Sequence, residues 1–241
     1  MKLKKLLSTI ILGTMLFSNL AFANDFTSKM SEKEYNYYMN LTAEERQAYD
    51  YMANQNEKLK DEWNKYKVDK SRVKNNLRNK RSLDNNYGLG INGDILVSSD
   101  SITGHAAMVV DKYYTVEANA NWHDTHPGVA IWNNIWKKRY KSMKGLRLKD
   151  VTEKQKQDAM DYCKAQVGDP YNIPRPGIIW DDDAWYCSQL VWRAYHEQGI
   201  DIVNVNSSLS MVTPRELVKS PKVYVFYSEG WGFWDDVLPF R

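Results

Sequence analysis

The sequence is poor in cysteine, in long apolar runs and in net charge. Two cysteines, Cys163 and Cys187, occur in 241 residues, so the chain is not a disulfide scaffold and needs a packed core. A 43% apolar fraction with 13% aromatics provides one and excludes a wholly disordered chain. The long apolar run stands at the start: Leu6 to Leu16 follows Lys2, Lys4 and Lys5 and precedes Ala21-Phe22-Ala23. A basic start, an apolar stretch and small residues at a cleavage position read as a secretory signal peptide over residues 1–23. As a membrane anchor the run is short, and Ser8 and Gly13 interrupt it. The expected mature protein is therefore exported, with no membrane span. The formal net charge of +3 is matched by the three lysines of that segment, which contains no acid. The rest of the chain is formally neutral, and nothing in it favours a nucleic-acid partner.

Residues 24–86 lack Gly, Pro, Ile and Cys and carry 13 basic and 11 acidic residues. Thr42 with Glu45 three residues later forms a capping box at the start of a helix. Tyr49, Met52, Leu59, Trp63 and Tyr66 recur along it as one sparse apolar stripe. This segment reads as a charged helical arm. It packs on the following domain, contacts a partner, or covers an active site as a pro-segment, and Ser71 to Asn86 reads as a polar linker. Beyond Tyr87 the texture changes, with all seven Pro and every Gly except Gly13. Short β-like runs occupy 94–98, 105–111, 113–118, 128–132, 146–148 and 222–227, and helical patterns run over 152–167 and 187–198. Residues 87–241 are thus expected to form an α+β domain with a mostly antiparallel sheet and packed helices. Trp231, Phe233 and Trp234 near the end close a core or stack on sugars.

Cysteine chemistry needs a thiolate, an imidazole and a group to orient that imidazole. Cys187 opens the helix Cys187-Ser188-Gln189-Leu190-Val191-Trp192, where unpaired N–H groups and the helix dipole favour S⁻ and can hold an oxyanion. The competing readings are a core cysteine or a disulfide with Cys163, itself mid-helix among apolar residues. His105 follows Gly104 at the mouth of an apolar strand, a place where substrate or backbone can approach closely. Glu117 lies twelve residues on, and a turn at Asp111-Lys112 brings it beside His105 by antiparallel pairing. His123 and His126 lack the spacing and partners of a metal site and read as a surface loop, so neither metal nor cofactor is expected. His196 reads as a helix cap. Asp183, in the run Asp181-Asp182-Asp183, either meets a substrate ammonium group or belongs to a solvated loop capping the Cys187 helix.

Five motifs then fall in a familiar order: Asn92-Gly93-Asp94-Ile95-Leu96, Gly104-His105-Ala106, Val116-Glu117-Ala118, Gly168-Asp169-Pro170-Tyr171, and Trp185-Tyr186-Cys187-Ser188-Gln189-Leu190-Val191-Trp192. Together, over about Tyr87 to Tyr227, they resemble the YiiX/YebB-like cysteine hydrolases, circularly permuted members of the NlpC-like papain-fold superfamily in which His precedes Cys. The resemblance implies a permuted papain-like domain with Cys187 as nucleophile, His105 as base and Glu117 as third member. It implies that Tyr171 lines the substrate pocket, and Tyr186 beside the nucleophile is expected to do the same. Where the family pattern reads C-S-E-L, this chain has Gln189. The expected activity is a secreted amidase or peptidase acting through an acyl-enzyme, with peptidoglycan stem peptide as the leading partner. Lipid or other acyl substrates, and a non-catalytic surface or adhesion role, are the rivals.

Overall fold

The computed structural model describes residues 27–72, 88–120, 127–174, 178–205 and 211–230. The expected signal peptide, the His123/His126 loop, the Trp231–Trp234 cluster and most of the Ser71–Asn86 linker lie outside these residues. The chain divides into two compact units between Leu41 and Thr42. In the first, helix α1 (Glu32–Met39) is capped by Ser31, whose side chain accepts the Glu34 N–H.

The second unit begins with α2 (Ala43–Glu62), opened by the capping box expected of Thr42 and Glu45. A six-stranded sheet follows: β1 (Ile95–Ser98), β2 (His105–Val109), β3 (Tyr114–Asn119), β4 (Gly128–Asn133), β5 (Met143–Leu148) and β6 (Val223–Glu229), in the order β4-β3-β2-β1-β5-β6. Every neighbouring pair is antiparallel. Short helix α3 (Trp136–Arg139) precedes β5, while α4 (Glu153–Ala165), α5 (Cys187–His196) and α6 (Pro214–Lys219) lie between β5 and β6. Thr152 and Thr213 cap α4 and α6 through boxes closed by Gln155 and Glu216. Among the described residues, no helix is long and apolar enough to cross a membrane.

The central strands are covered on both faces, which is why they read as continuous apolar runs rather than alternating ones. Ile95, Val97, Ala106, Met108, Val116 and Ala118 join Cys163, Leu190 and Val191 in the main core. Leu96, Ala107 and Val109 turn the other way, onto Trp136 and Met143. The arm helix joins this core as well: Leu59 and Trp63 belong to the same cluster as α4 and α5. At about 25 cal/mol per Å² of apolar area removed from water, two such side chains stabilise the docked helix by several kcal/mol, an upper estimate. The compact unit therefore begins inside the segment that composition alone marks as an arm.

Candidate active site

Cys187 stands in the first turn of α5, after the N-cap residue Tyr186. That position is the positive end of the helix, where backbone N–H groups have no helical partner. His105 stands at the first position of β2, after Gly104, whose φ of 73° suits a residue without a Cβ. Both residues are 5% exposed.

Strand pairing explains how the thiol reaches the imidazole. Val109 exchanges backbone hydrogen bonds with the Gly93-Asp94 segment that leads into β1, so by alternation Met108 and Ala106 turn their backbone groups toward β3. The β2–β3 ladder pairs Val109 with Thr115 and Met108 with Val116. One step further on, the Ala106 N–H donates to the Cys187 sulfur instead. The sulfur enters where the two strands part.

His105 Nε2 lies 2.9 Å from Glu117 Oε2, and the imidazole is also hydrogen-bonded to the Cys187 side chain. With Nε2 on the carboxylate, the other ring nitrogen serves the sulfur. Glu117 is in turn held by three further donors on Oε1: Thr115 Oγ1 at 2.6 Å, Trp136 Nε1 at 2.9 Å and Arg139 Nη1 at 2.9 Å. The Trp136 ring stacks on His105, centroids 5.8 Å apart at 14°, and so limits the ring's rotation.

Burial works against each of these charges, and their partners reverse it. Burial alone lowers the His105 pKa, but the hydrogen bonds to Cys187 and Glu117 carry it up to about 9. Burial pushes the Cys187 thiol up, and the imidazole outweighs that and draws it below its ordinary value. Burial likewise opposes ionised Glu117, yet His105 and Arg139 hold its carboxyl well below the usual carboxylate range. The result is a buried row of alternating sign: Arg139⁺, Glu117⁻, His105⁺, Cys187⁻. A thiolate–imidazolium pair held in this way is the reactive form of a thiol nucleophile.

The family model of the permuted papain-like amidase enzymes, the YaeF/YiiX C92 family, matches residues 86–227. The chain belongs to this family. It is thus a papain-like cysteine amidase or peptidase by family, with the α+β antiparallel fold expected of it. No curated protein matches the chain.

The structure brings together Cys187, His105 and Glu117, and it spreads the remaining expected site residues. Tyr171 is half-buried and forms a parallel bridge with Trp185, two residues before Cys187. Tyr186 differs from the expectation: it has no exposed surface, and its hydroxyl accepts the Val212 N–H at 3.0 Å, so it anchors the chain beside Cys187 instead of lining a pocket. Asp183 is exposed, beside Asp182, which lies 3.3 Å from Arg193. The cap of α5 is Tyr186 rather than any residue of the acidic run. His196, at the last turn of α5, packs its ring on Trp192 and Trp180. The two cysteines are free, and Cys163 is buried with its sulfur 3.9 Å from the Leu190 carbonyl.

Three residues bonded to Glu117 carry no signal in the site reading of the sequence: Thr115, Trp136 and Arg139. Thr115 sits two residues before Glu117, so alternation puts it on the same face. Trp136 and Arg139 belong to a four-residue helix with no local signal of its role. Gln189 also acquires a role. Its Oε1 accepts the Tyr186 N–H, while its Nε2 faces the carbonyls of Ile178 at 2.9 Å and of Ile179 and Asp181 at 3.3 Å. An ionised glutamate cannot donate to those carbonyls, so the amide suits this chain's 178–181 segment.

Proposed function

We propose that the protein is an exported cysteine amidase that hydrolyses bacterial cell-wall peptides, with Cys187, His105 and Glu117 as its catalytic residues. The observation that carries the chemical part is the hydrogen-bonded series from Glu117 through His105 to Cys187 at a helix start.

The thiolate attacks an amide carbonyl carbon, forming a C–S bond as the carbonyl electrons move to oxygen. That oxyanion lies near the unpaired N–H groups at the start of α5, with the Cys187 N–H as donor. Collapse breaks the C–N bond, and the His105 imidazolium gives its proton to the departing amine. Neutral His105 then takes a proton from water, whose oxygen attacks the thioester. Collapse breaks the C–S bond, the acid is released, and the expelled Cys187 thiolate with the protonated His105 restores the resting pair. Glu117 stays ionised throughout and stabilises the imidazolium. Arg139 and Trp136 hold Glu117 in place.

Export is supported by the form of residues 1–23. A stem-peptide substrate is supported by the exposed acidic run Asp181 to Asp183, which precedes Cys187 and suits the ammonium group of a diamino acid. Purified wall should be digested with the protein and with Cys187→Ala, and the soluble fragments weighed by mass spectrometry. Fragments with a new amine and a new carboxylate, absent with Cys187→Ala, support the reading. Intact wall beside hydrolysed lipid esters or amides would replace it with the acyl-hydrolase alternative.

A further inference from the structure

Helix α2 lies outside the residues that the family model matches, which begin at 86. It nevertheless reaches the turn that delivers His105. Asn56 is 2% exposed, and its Nδ2 donates to two backbone carbonyls of that turn, Ser99 at 3.3 Å and Ser101. The opposite amide orientation would set its oxygen against both carbonyls, so the hydrogen bonds fix which end is nitrogen. The turn closes on itself: the Gly104 N–H donates to Ser101 O at 3.1 Å, and Ser101 Oγ donates to Gly104 O at 3.0 Å. A methyl group added at Gly104 would come within 3.0 Å of Asn56 Oδ1, 3.2 Å of Ser98 O and 3.3 Å of Pro214 Cβ. Asn56 therefore packs against the peptide that enters His105.

The same helix reaches the nucleophile's side. Glu62 pairs with Arg215 of α6 at 3.0 Å, and Pro214 of α6 abuts Gly104. Val212, just before α6, gives its N–H to Tyr186 and accepts from Ser188 Oγ at 2.8 Å. Those two residues flank Cys187.

We infer that Asn56 is a positioning residue for the Cys187–His105 pair: by holding the Ser99 and Ser101 carbonyls it sets where His105 enters β2. Misplacement of a catalytic group by about 1 Å can cost on the order of 100-fold in rate, so a clamp on the preceding turn bears on chemistry as well as on folding. The inference rests on the catalytic reading of this pair, and the test separates the two.

The experiment uses the full chain and reads the rate of Cys187 alkylation by iodoacetamide against pH, with thermal melting and with kcat and KM on wall fragments. Asn56→Ala removes both donors. Its alkylation midpoint should rise by about one pH unit, and kcat should fall about tenfold with KM little changed. Asn56→Ser provides the same reading if the alanine variant does not fold. Leu59→Val, a core change on the same helix, controls for stability: it should lower the melting temperature and leave the alkylation midpoint in place. An Asn56 variant that melts earlier but keeps the wild-type midpoint and kcat would overturn the inference, because Asn56 would then be structural only. Turnover surviving in Cys187→Ala strikes the catalytic reading instead, and the midpoint still reports whether Asn56 sets His105.

Discussion

Cys163 and Cys187 make a controlled comparison within one core. Both are buried, both are free, and they sit on adjacent packed helices, α4 and α5. Yet burial drives the Cys163 thiol far above its ordinary range, whereas Cys187 is drawn below it. What differs is company. Cys163 faces the carbonyl of Leu190, an acceptor that favours the protonated form. Cys187 faces an imidazole and the Ala106 N–H, donors that favour the thiolate. Burial alone therefore says nothing about reactivity: the hydrogen-bond partners decide, and burial sets how strongly they are felt.

The largest expected effect tests the contrast directly. Cys187→Ala should lower turnover by roughly 10⁴-fold or more, whereas Cys163→Ala should leave kcat unchanged. If instead Cys163→Ala abolished turnover, the assignment would be reversed. Glu117→Gln comes next. It keeps an oxygen for His105 but leaves the Arg139 guanidinium without its buried anion, and kcat should fall about 10²- to 10⁴-fold. The steady-state rate against pH should show an alkaline limb near 9, where the imidazolium loses its proton. Its acid limb should lie below the ordinary thiol range, because protonation of the thiolate removes the nucleophile. A profile that only rises through the thiol range would show that Cys187 is an ordinary cysteine. The smallest effect is structural: Cys163→Ala should cost about 1 kcal/mol of unfolding free energy in urea titration. It should also remove the thiol that iodoacetamide modifies only after unfolding.

How far each part could be read in the sequence follows from how local its cause is. The capping boxes at Thr42 and Thr152 depend on residues three apart, and they are where the pattern puts them. Glu117 could be placed beside His105 because one short turn joins their strands. For β5 the strand pattern covers only 146–148, since Lys144 breaks the apolar run ahead of it. That lysine is buried beneath Trp63 and spends its ammonium on Tyr66 O and Ser228 Oγ. Arg139 reaches Glu117 from 22 residues away through a helix of four residues, and no periodicity announces such a partner. Asn56 is harder still, since a polar residue on a polar helix reads as solvated until the turn it clamps is seen. Docking of α2 on the domain is one of the three readings its sparse apolar stripe allows, and the weight falls on Leu59 and Trp63.

The alternating row Arg139, Glu117, His105 and Cys187 has one more consequence. At rest its four charges cancel. In the proposed acyl-enzyme the sulfur is neutral in a thioester and the imidazole has surrendered its proton, so Arg139 and Glu117 cancel again. The pocket thus returns to zero charge at each stable stage, and negative charge is displaced only briefly, onto the carbonyl oxygen. Salt in the medium should accordingly have little grip on kcat, and any ionic-strength dependence should appear in substrate capture.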